Sequence, residues 1–246
     1  MPTISDVAVC LRRWDFSETS QTVSLLTRTA GVIRGLAKGA KREKGAFSGG
    51  FDVLTQGHVV AIVKPTRDLA TLTEWRLLKT YRPLRRRLAA NRLALYIADL
   101  THHMVTAQDP HPRLYAALDA ALEAICDAPS GDAALLAYQW TLLEECGYRP
   151  QVARDAETAA PLPADADTLA FSAAAGGVVA SADGPGRWRT RASTIRLLQR
   201  LDRGQRADAA DDASLDRANR LLAAYCREII GSEPPTLRWV FPDLDV

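Results

Sequence analysis

Six cationic side chains lie close together in one glycine-containing stretch near the amino terminus, residues 27–50. They are Arg28, Arg34, Lys38, Lys41, Arg42 and Lys44. Glu43 is the one acid among them. Each phosphate that a cation neutralises releases a condensed counterion, and glycines let a polyanion approach the backbone closely. The stretch therefore predicts a site for a phosphate backbone. The alternative is a solvated hairpin with ordinary surface lysines.

Basic and aromatic side chains near this stretch extend the predicted site. Arg12 and Arg13 end the first predicted strand, and Trp14 follows them directly. Trp14 is therefore the better candidate for stacking on a base, and Phe47 is the second. The alternative for either ring is a place in the hydrophobic core.

A second basic patch, R-P-L-R-R-R at residues 82–87, lies further along the chain. It either continues a polyanion path from the first patch or forms the solvated face of a helix. The sequence leaves both interpretations open, and the first adds Arg85 and Arg86 to the predicted site.

Charge is distributed unevenly along the 246 residues, whose formal net charge is only +2. Residues 1–92 carry a net charge of +10, whereas residues 93–246 carry −8. A basic first third joined to an acidic remainder indicates a polyanion-binding module attached to a part with another role.

Alternating apolar residues, such as Val7, Val9 and Leu11, predict strands over about the first 75 residues. Pro65 is predicted to end the strand at 57–64. About five short strands, with glycines that favour bulges and sharp curvature, fit a small closed barrel of the OB type.

The period changes from about Leu69, which predicts a helix or a strand-to-helix junction. Later apolar spacing predicts helices that end near Met104, Pro129, Gly147, Leu201 and Gly231. The predicted fold class is α+β and multidomain. An OB-fold barrel at residues 1–78 precedes an all-α helical domain at residues 79–246, which carries an irregular insertion at about 148–190.

Three motifs resemble the RecO family of bacterial recombination mediators. They are an aromatic-x-E-x-S turn at residues 16–20, T-R-x-x-G at 27–31 and G-x-A-K-G-A-[KR]-[KR] at 35–42. The resemblance covers roughly the first 65 residues well and the rest loosely. It implies the same order of folds, an OB barrel followed by a helical domain.

The resemblance also implies a non-enzymatic role in DNA repair and homologous recombination, without a cofactor. Such a protein binds single- and double-stranded DNA and promotes annealing of complementary strands. Together with RecR it helps to load RecA recombinase onto DNA coated by single-strand-binding protein (SSB). The predicted DNA-binding side chains are Arg12, Arg13, Arg28, Arg34, Lys38, Lys41, Arg42, Lys44, Trp14, Phe47, Arg85 and Arg86.

In this family the helical domain docks the acidic, apolar carboxy-terminal tail of SSB. An apolar groove with a basic rim suits such a peptide. Candidates for the rim are Arg196, Arg200 and Arg203, or Arg113, and the sequence does not choose between them. The net charge of −8 in this half predicts binding that is weak or depends on local charge.

Many members of the family also insert a four-cysteine zinc module that contains F-S-x-x-x-G-G. That segment is present at residues 171–177, but the flanking cysteines are replaced by residues 153–158 and 179–183. Asp155, Glu157 and Asp183 are poor substitutes for the usual cysteine or histidine ligands. We predict a degenerate insertion without zinc, which is either held by packing or mobile.

Cysteine usage and apolar runs predict the compartment. The four cysteines show no C-x-x-C spacing, which indicates thiols in a reducing compartment. The first residues do not form a signal peptide, and no apolar run approaches the roughly 20 residues that span a bilayer. We expect a cytoplasmic protein without membrane association, and the resemblance adds a bacterial, nucleoid-associated location.

Two other classes of function remain open. An RNA- or ribosome-associated OB-fold protein would use the same cations. A metal-dependent hydrolase would use the acids at 208–216, although acids before a helix also complement its dipole. His102 and His103 point to different sides of a helix, which favours a structural role. No nucleophile–base motif is present, so no catalytic or metal-binding residue is predicted.

Overall fold

The amino-terminal part is a five-stranded barrel. The computed structural model describes residues 3–42, 45–47, 50–64, 68–128, 130–207 and 210–244. The strands are β1 (Thr3–Asp15), β2 (Gln21–Thr27), β3 (Val32–Ala37), β4 (Gln56–Ile62) and β5 (Ala70–Lys79). Their order is β1-β2-β3-β5-β4, and β4 pairs with β1, so the sheet closes on itself. The β3–β5 pairing that completes it is parallel and only three residue pairs long. The predicted OB-type fold is confirmed.

Alternate residues of each strand fill the barrel interior. The core includes Ala8, Cys10, Val23, Leu25, Ile33, Val59, Ala61, Leu72 and Trp75, all at most 3% exposed. Gly57 permits a close approach to the core, because a Cβ atom there would lie 2.6 Å from the Trp75 ring. The indole therefore lies directly against the β4 backbone.

Strand β5 continues to Lys79, where the sequence predicted a helix or a strand-to-helix junction from Leu69. Leu72 pairs with Ala61 and Glu74 pairs with Val60, so Thr73 is an extra residue. This bulge turns both Leu72 and Trp75 toward the core. The resulting i, i+3 apolar spacing resembles a helical pattern in the sequence.

Two helices complete the first compact unit, residues 1–128. A 3₁₀ turn at Arg82–Arg85 follows β5 and leads to α1 (Leu88–Met104) and then α2 (Pro112–Asp127). Pro65 and Pro129, which were predicted to end a strand and a helix, lie outside the described residues.

The second compact unit, residues 129–246, combines helices with a small sheet. Its elements are α3 (Asp132–Glu145), β6 (Thr168–Ser172), β7 (Gly177–Val179), β8 (Arg187–Arg191), α4 (Ala192–Asp202), α5 (Asp212–Ile230) and α6 (Leu237–Val240). The sheet, in the order β7-β6-β8, lies within the segment where the sequence predicted an insertion. Gly231 has φ 72° and ends α5, as predicted.

Buried polar contacts fix the helices of this unit. The Gln139 side chain on α3 donates to the Asn219 side chain on α5 at 2.9 Å, and both residues are buried. Asp211 caps α5 by accepting from the Ser214 N–H, which gives one acid of the 208–216 group a structural role. Asp208 of that group lies outside the described residues. In the described part of the chain, no helix has the length and apolar character needed to span a bilayer.

Candidate nucleic-acid interface

A β-bulge determines which face of the barrel Arg12 occupies. The register of β1 against β2 shifts between Cys10 and Arg12, so Leu11 is an extra residue. In a regular strand Arg12 would lie opposite Val23, which faces the core. The bulge instead places Arg12 opposite Ser24, on the outer face.

The same register aligns candidate binding side chains of three strands in rows on the outer face. Arg12 pairs with Ser24, which pairs in turn with Arg34 on β3, so an arginine lies on each side of the serine. Trp14 pairs with Thr22 in the next row. The two arginines and the indole therefore share one side of the barrel.

Trp14 lies in a cationic, partly open environment. Trp14 is 43% exposed. The Arg12 guanidinium lies 5.7 Å from the indole centroid, and the centroid of the His102 ring lies 5.6 Å from it. The His102 Nδ1 atom is 3.0 Å from the Ser24 hydroxyl. Burial, assisted by the charges of Arg12 and Arg34, lowers the pKa of His102 to about 4. The imidazole is therefore neutral at pH 7 and orients its neighbours without adding charge.

The turn that follows β3 carries three further cations, Lys38, Lys41 and Arg42. Gly39 has φ 72°, and its N–H donates to the Ser20 hydroxyl at 3.2 Å. The Lys41 N–H donates to the Thr19 carbonyl at 3.0 Å. These bonds hold the turn beside residues 16–20, directly after the end of β1.

The Asp52 carboxylate joins the two basic patches of the sequence. It lies 2.7 Å from the Arg85 guanidinium and 3.9 Å from Arg13 Nε. Arg87 has another role, because it donates to the last carbonyl oxygens of α2 at 2.5–2.7 Å. Arg86 is exposed. The second patch thus contributes Arg85 to the same end of the barrel and uses Arg87 to cap a helix.

We refer to the side chains at this end as the barrel-end cluster: Arg12, Arg13, Trp14, Arg34, Lys38, Lys41, Arg42 and Arg85. Lys44, which was also predicted to bind DNA, lies outside the described residues.

Arg28 lies at the opposite end of the β2–β3 hairpin. The six residues of β3 span about 20 Å at roughly 3.3 Å per residue. The Arg28 guanidinium lies 5.7 Å from the Tyr115 ring centroid on α2.

The T-R-x-x-G motif has a structural explanation, since the Thr27 hydroxyl donates to the Gly31 carbonyl at 2.8 Å. A Cβ atom on Gly31 would lie 2.0 Å from the Asp109 carbonyl oxygen.

Phe47 is a core residue, which corrects the prediction that it stacks on bases. It is 6% exposed, and its ring lies 5.8 Å from that of Phe51 inside the barrel. Sequence reasoning missed Phe16, which is 62% exposed in the turn after Trp14. The available signal was its place in the aromatic-x-E-x-S turn, two residues after Trp14.

A hydrogen-bonded carboxylate holds the segment where the family resemblance implied a zinc module. Asp155 Oδ1 accepts from the N–H groups of Glu157 at 2.9 Å and Thr158 at 2.8 Å. Its Oδ2 accepts from the Ala180 N–H at 2.7 Å. These bonds, with Ala180 first, lower the pKa of Asp155 to about 2. Asp155 thus ties residues 155–158 to the chain just after β7.

The residues around Asp155 do not fit a zinc ion. Its two carboxylate oxygens are already occupied by backbone amides, and zinc takes about four cysteine, histidine or carboxylate ligands. Among the described residues, no group of three or more His, Cys, Asp or Glu side chains is placed to hold a metal.

The second unit contains a groove of ≈ 350 Å³ that is lined by four arginines and one acid, Asp243. We refer to it as the arginine groove, after Arg189 and Arg191 on β8 and Arg217 and Arg220 on α5. Its apolar lining includes Trp188, Leu221 and Leu244. Of the rim candidates named from sequence, Arg196 lines a separate depression, Arg203 caps α4 and Arg113 belongs to the first unit. The Arg200 guanidinium donates to the Arg206 carbonyl.

Comparison with known proteins agrees with the barrel and helical architecture. A family model described as "Recombination protein O N terminal" matches residues 1–81, and one described as "Recombination protein O C terminal" matches residues 85–238. These matches define a two-domain recombination protein, in which an OB-type barrel is followed by a helical domain. The chain belongs to the RecO family, as the sequence motifs predicted.

Individual relatives carry the name DNA repair protein RecO. The protein from Rhodopirellula baltica is 35% identical over 173 residues, which cover 70% of this chain and 64% of that protein. The chain thus covers less than two thirds of this relative. The Anaeromyxobacter sp. (strain K) protein is 29% identical over 238 residues, or 94% of this chain and 93% of that protein. The Salinibacter ruber protein is 33% identical over 240 residues, with coverages of 96% and 87%.

Proposed function

We propose that the chain binds single- and double-stranded DNA through the barrel-end cluster and promotes annealing of complementary strands. The observation that carries this proposal is the convergence of seven cations and the half-exposed indole of Trp14 at one end of an OB-type barrel. Cations neutralise phosphates without reading sequence, and an exposed aromatic ring stacks on any base. Such a surface holds two strands near each other by reducing their repulsion.

In this proposal the chain is not an enzyme, because it brings strands and proteins together and breaks no covalent bond. With RecR it helps to load RecA onto DNA coated by SSB, in the bacterial cytoplasm at the nucleoid. Its relatives' role in DNA repair supports this function.

Charge reversal tests the annealing step. A Lys38→Glu/Lys41→Glu/Arg42→Glu variant should lose most annealing of two complementary oligonucleotides, measured by the approach of a dye pair, because three phosphate contacts become repulsive. Arg28→Glu at the other end of the hairpin is the control and should retain annealing. Full annealing by the triple variant would refute the assignment of the cluster.

We also propose that the arginine groove docks the acidic, apolar tail of SSB. Guanidinium groups bind carboxylates in bidentate fashion, and the apolar lining suits a hydrophobic side chain. Its four arginines give a locally basic surface, although residues 93–246 carry a net charge of −8.

A peptide with the sequence of that tail tests the docking site. Arg189→Glu/Arg191→Glu should weaken peptide binding at least tenfold in fluorescence anisotropy and reduce RecA loading on SSB-coated DNA. Binding to naked DNA should be unchanged. Arg196→Glu/Arg203→Glu is the matched control, and loss of peptide binding in this control alone would move the site to α4.

A further inference from the structure

Two exposed carboxylates lie inside the barrel-end cluster, against its cations, in addition to the buried Asp99, which lies 3.5 Å from Arg12. Asp15 is 2.9 Å from Lys41 Nζ. Asp52 is 2.7 Å from the Arg85 guanidinium and 3.9 Å from Arg13. The two acids are therefore placed where a phosphate would contact the same three cations.

Local structure fixes the position of each acid. Asp15 is the last residue of β1, directly after Trp14, and pairs in register with Gln21. The Asp52 carboxylate accepts from the Val53 N–H at 2.9 Å, and its carbonyl accepts from the Thr55 hydroxyl at 2.6 Å. Strand pairing thus fixes the backbone of Asp15, and the Val53 N–H holds the Asp52 carboxylate, so that both acids stay beside the cations.

Solvent exposure makes both ion pairs exchangeable. The side chain of Asp15 is 68% exposed and that of Asp52 is 49% exposed. Pairs this open contribute little to stability and weaken with salt. A polyanion can therefore take the cations from the carboxylates at small cost.

The surroundings of Asp52 are also accessible to a ligand. Asp52 and Arg85 line an open depression of ≈ 310 Å³, together with Arg82 and the apolar side chains of Trp75 and Leu77. This depression is continuous with the barrel-end cluster through Arg85. A phosphate that approaches Arg85 thus meets the Asp52 carboxylate.

We propose that Asp15 and Asp52 compete with the DNA backbone for Lys41, Arg13 and Arg85. When the two carboxylates form ion pairs with these cations again, they speed the release of bound strands. The proposal rests on the proposed DNA-binding function. Annealing ends with a duplex that must leave the protein, and a site that binds phosphates too tightly would retain it. The two acids thus lower the affinity for DNA and raise the rate at which bound strands leave.

A purely positioning role for the acids predicts the opposite effect. If Asp15 and Asp52 only orient the cations for phosphate, their removal disorders the cations and weakens DNA binding. If they compete, their removal strengthens it. The sign of the change in affinity therefore decides between the two roles.

The test compares Asp15→Asn and Asp52→Asn with wild type in binding to a labelled single-stranded oligonucleotide. Each variant should bind about two- to fivefold more tightly and dissociate correspondingly more slowly when excess unlabelled DNA is added. The slope of log affinity against log salt should steepen by up to about one for each cation set free. Glu74→Gln, which removes an exposed acid of β5, controls for net charge and should change affinity less.

The outcomes separate this proposal from the function on which it rests. If wild type binds DNA and the Asn variants bind equally or less well, the competitor role is wrong and the DNA site stands. If neither wild type nor the variants bind, both proposals fail. Thermal unfolding of each variant verifies that the comparison is made on folded protein.

Discussion

At the scale of single residues, the sequence predicts which side chains are chemically suited to DNA but not which of them share a face. Arg12 and Trp14 reach the outer face because Leu11 is an extra residue, and nothing in V-A-V-C-L-R-R-W marks that bulge. Phe47 lies near cations in sequence yet packs in the core, because proximity along the chain carries no information about burial.

Asp155 shows how a single carboxylate can hold a segment together. It is 6% exposed and accepts three backbone N–H groups from two separate stretches of chain. The sequence identified Asp155 as a poor zinc ligand, but the hydrogen bonds depend on backbone geometry that the residue type does not reveal. The sequence predicted an insertion that is either held by packing or mobile. The hydrogen bonds of Asp155 hold part of it in place.

Asp155→Asn should lower the free energy of unfolding by about 1–3 kcal/mol at pH 7, since three backbone N–H groups lose a charged acceptor. The folded pKa of about 2 lies below the ordinary value of 3.8. The carboxylate therefore stabilises the fold above about pH 4 and loses this contribution as the pH falls toward 2. Urea unfolding at pH 7 and pH 3 should show the difference from wild type shrinking at the lower pH.

Asp165→Asn serves as the control for this measurement, because Asp165 is exposed in the same segment. Its unfolding should match wild type at both pH values. A difference between wild type and Asp155→Asn that grows as the pH falls would contradict the role of the Asp155 carboxylate.

At the scale of elements, strands and helices follow from periodicity except where a bulge changes the period. The extra Thr73 in β5 gives Leu72 and Trp75 a helix-like spacing, so the end of the barrel was not recognised as a strand from sequence. The two turns that flank β3, by contrast, carry glycines that the sequence reveals. Gly31 and Gly39 both have φ near 70°, and their motifs were recognised because few other residues adopt that conformation.

The two turns that flank β3 differ in their surroundings although both are basic. The turn at 28–31 packs against the segment before α2, where Gly31 approaches Asp109. The turn at 38–42 presents its cations beside the end of β1. A sequence motif can therefore define a structural turn and a candidate binding turn only six residues apart.

At the scale of the whole molecule, the two candidate surfaces are both basic, but one lies in the basic part of the sequence and the other in the acidic part. The basic first third forms the barrel-end cluster. The acidic remainder concentrates four arginines around one groove, which a sum of charges over 154 residues conceals. Net charge predicted the first surface, whereas the second depends on β8 and α5 lining the same groove.

A salt series tests whether the barrel-end cluster binds the DNA backbone. Affinity for a labelled single-stranded oligonucleotide is measured from low to high salt for wild type and Lys38→Ala/Lys41→Ala/Arg42→Ala. Arg196→Ala/Arg200→Ala/Arg203→Ala removes the same charge from the second unit and is the control. We predict a steep wild-type slope, a slope shallower by about two to three for the cluster variant, and no change in the control. Equal slopes and affinities for wild type and the cluster variant, or negligible binding by wild type, would contradict the account.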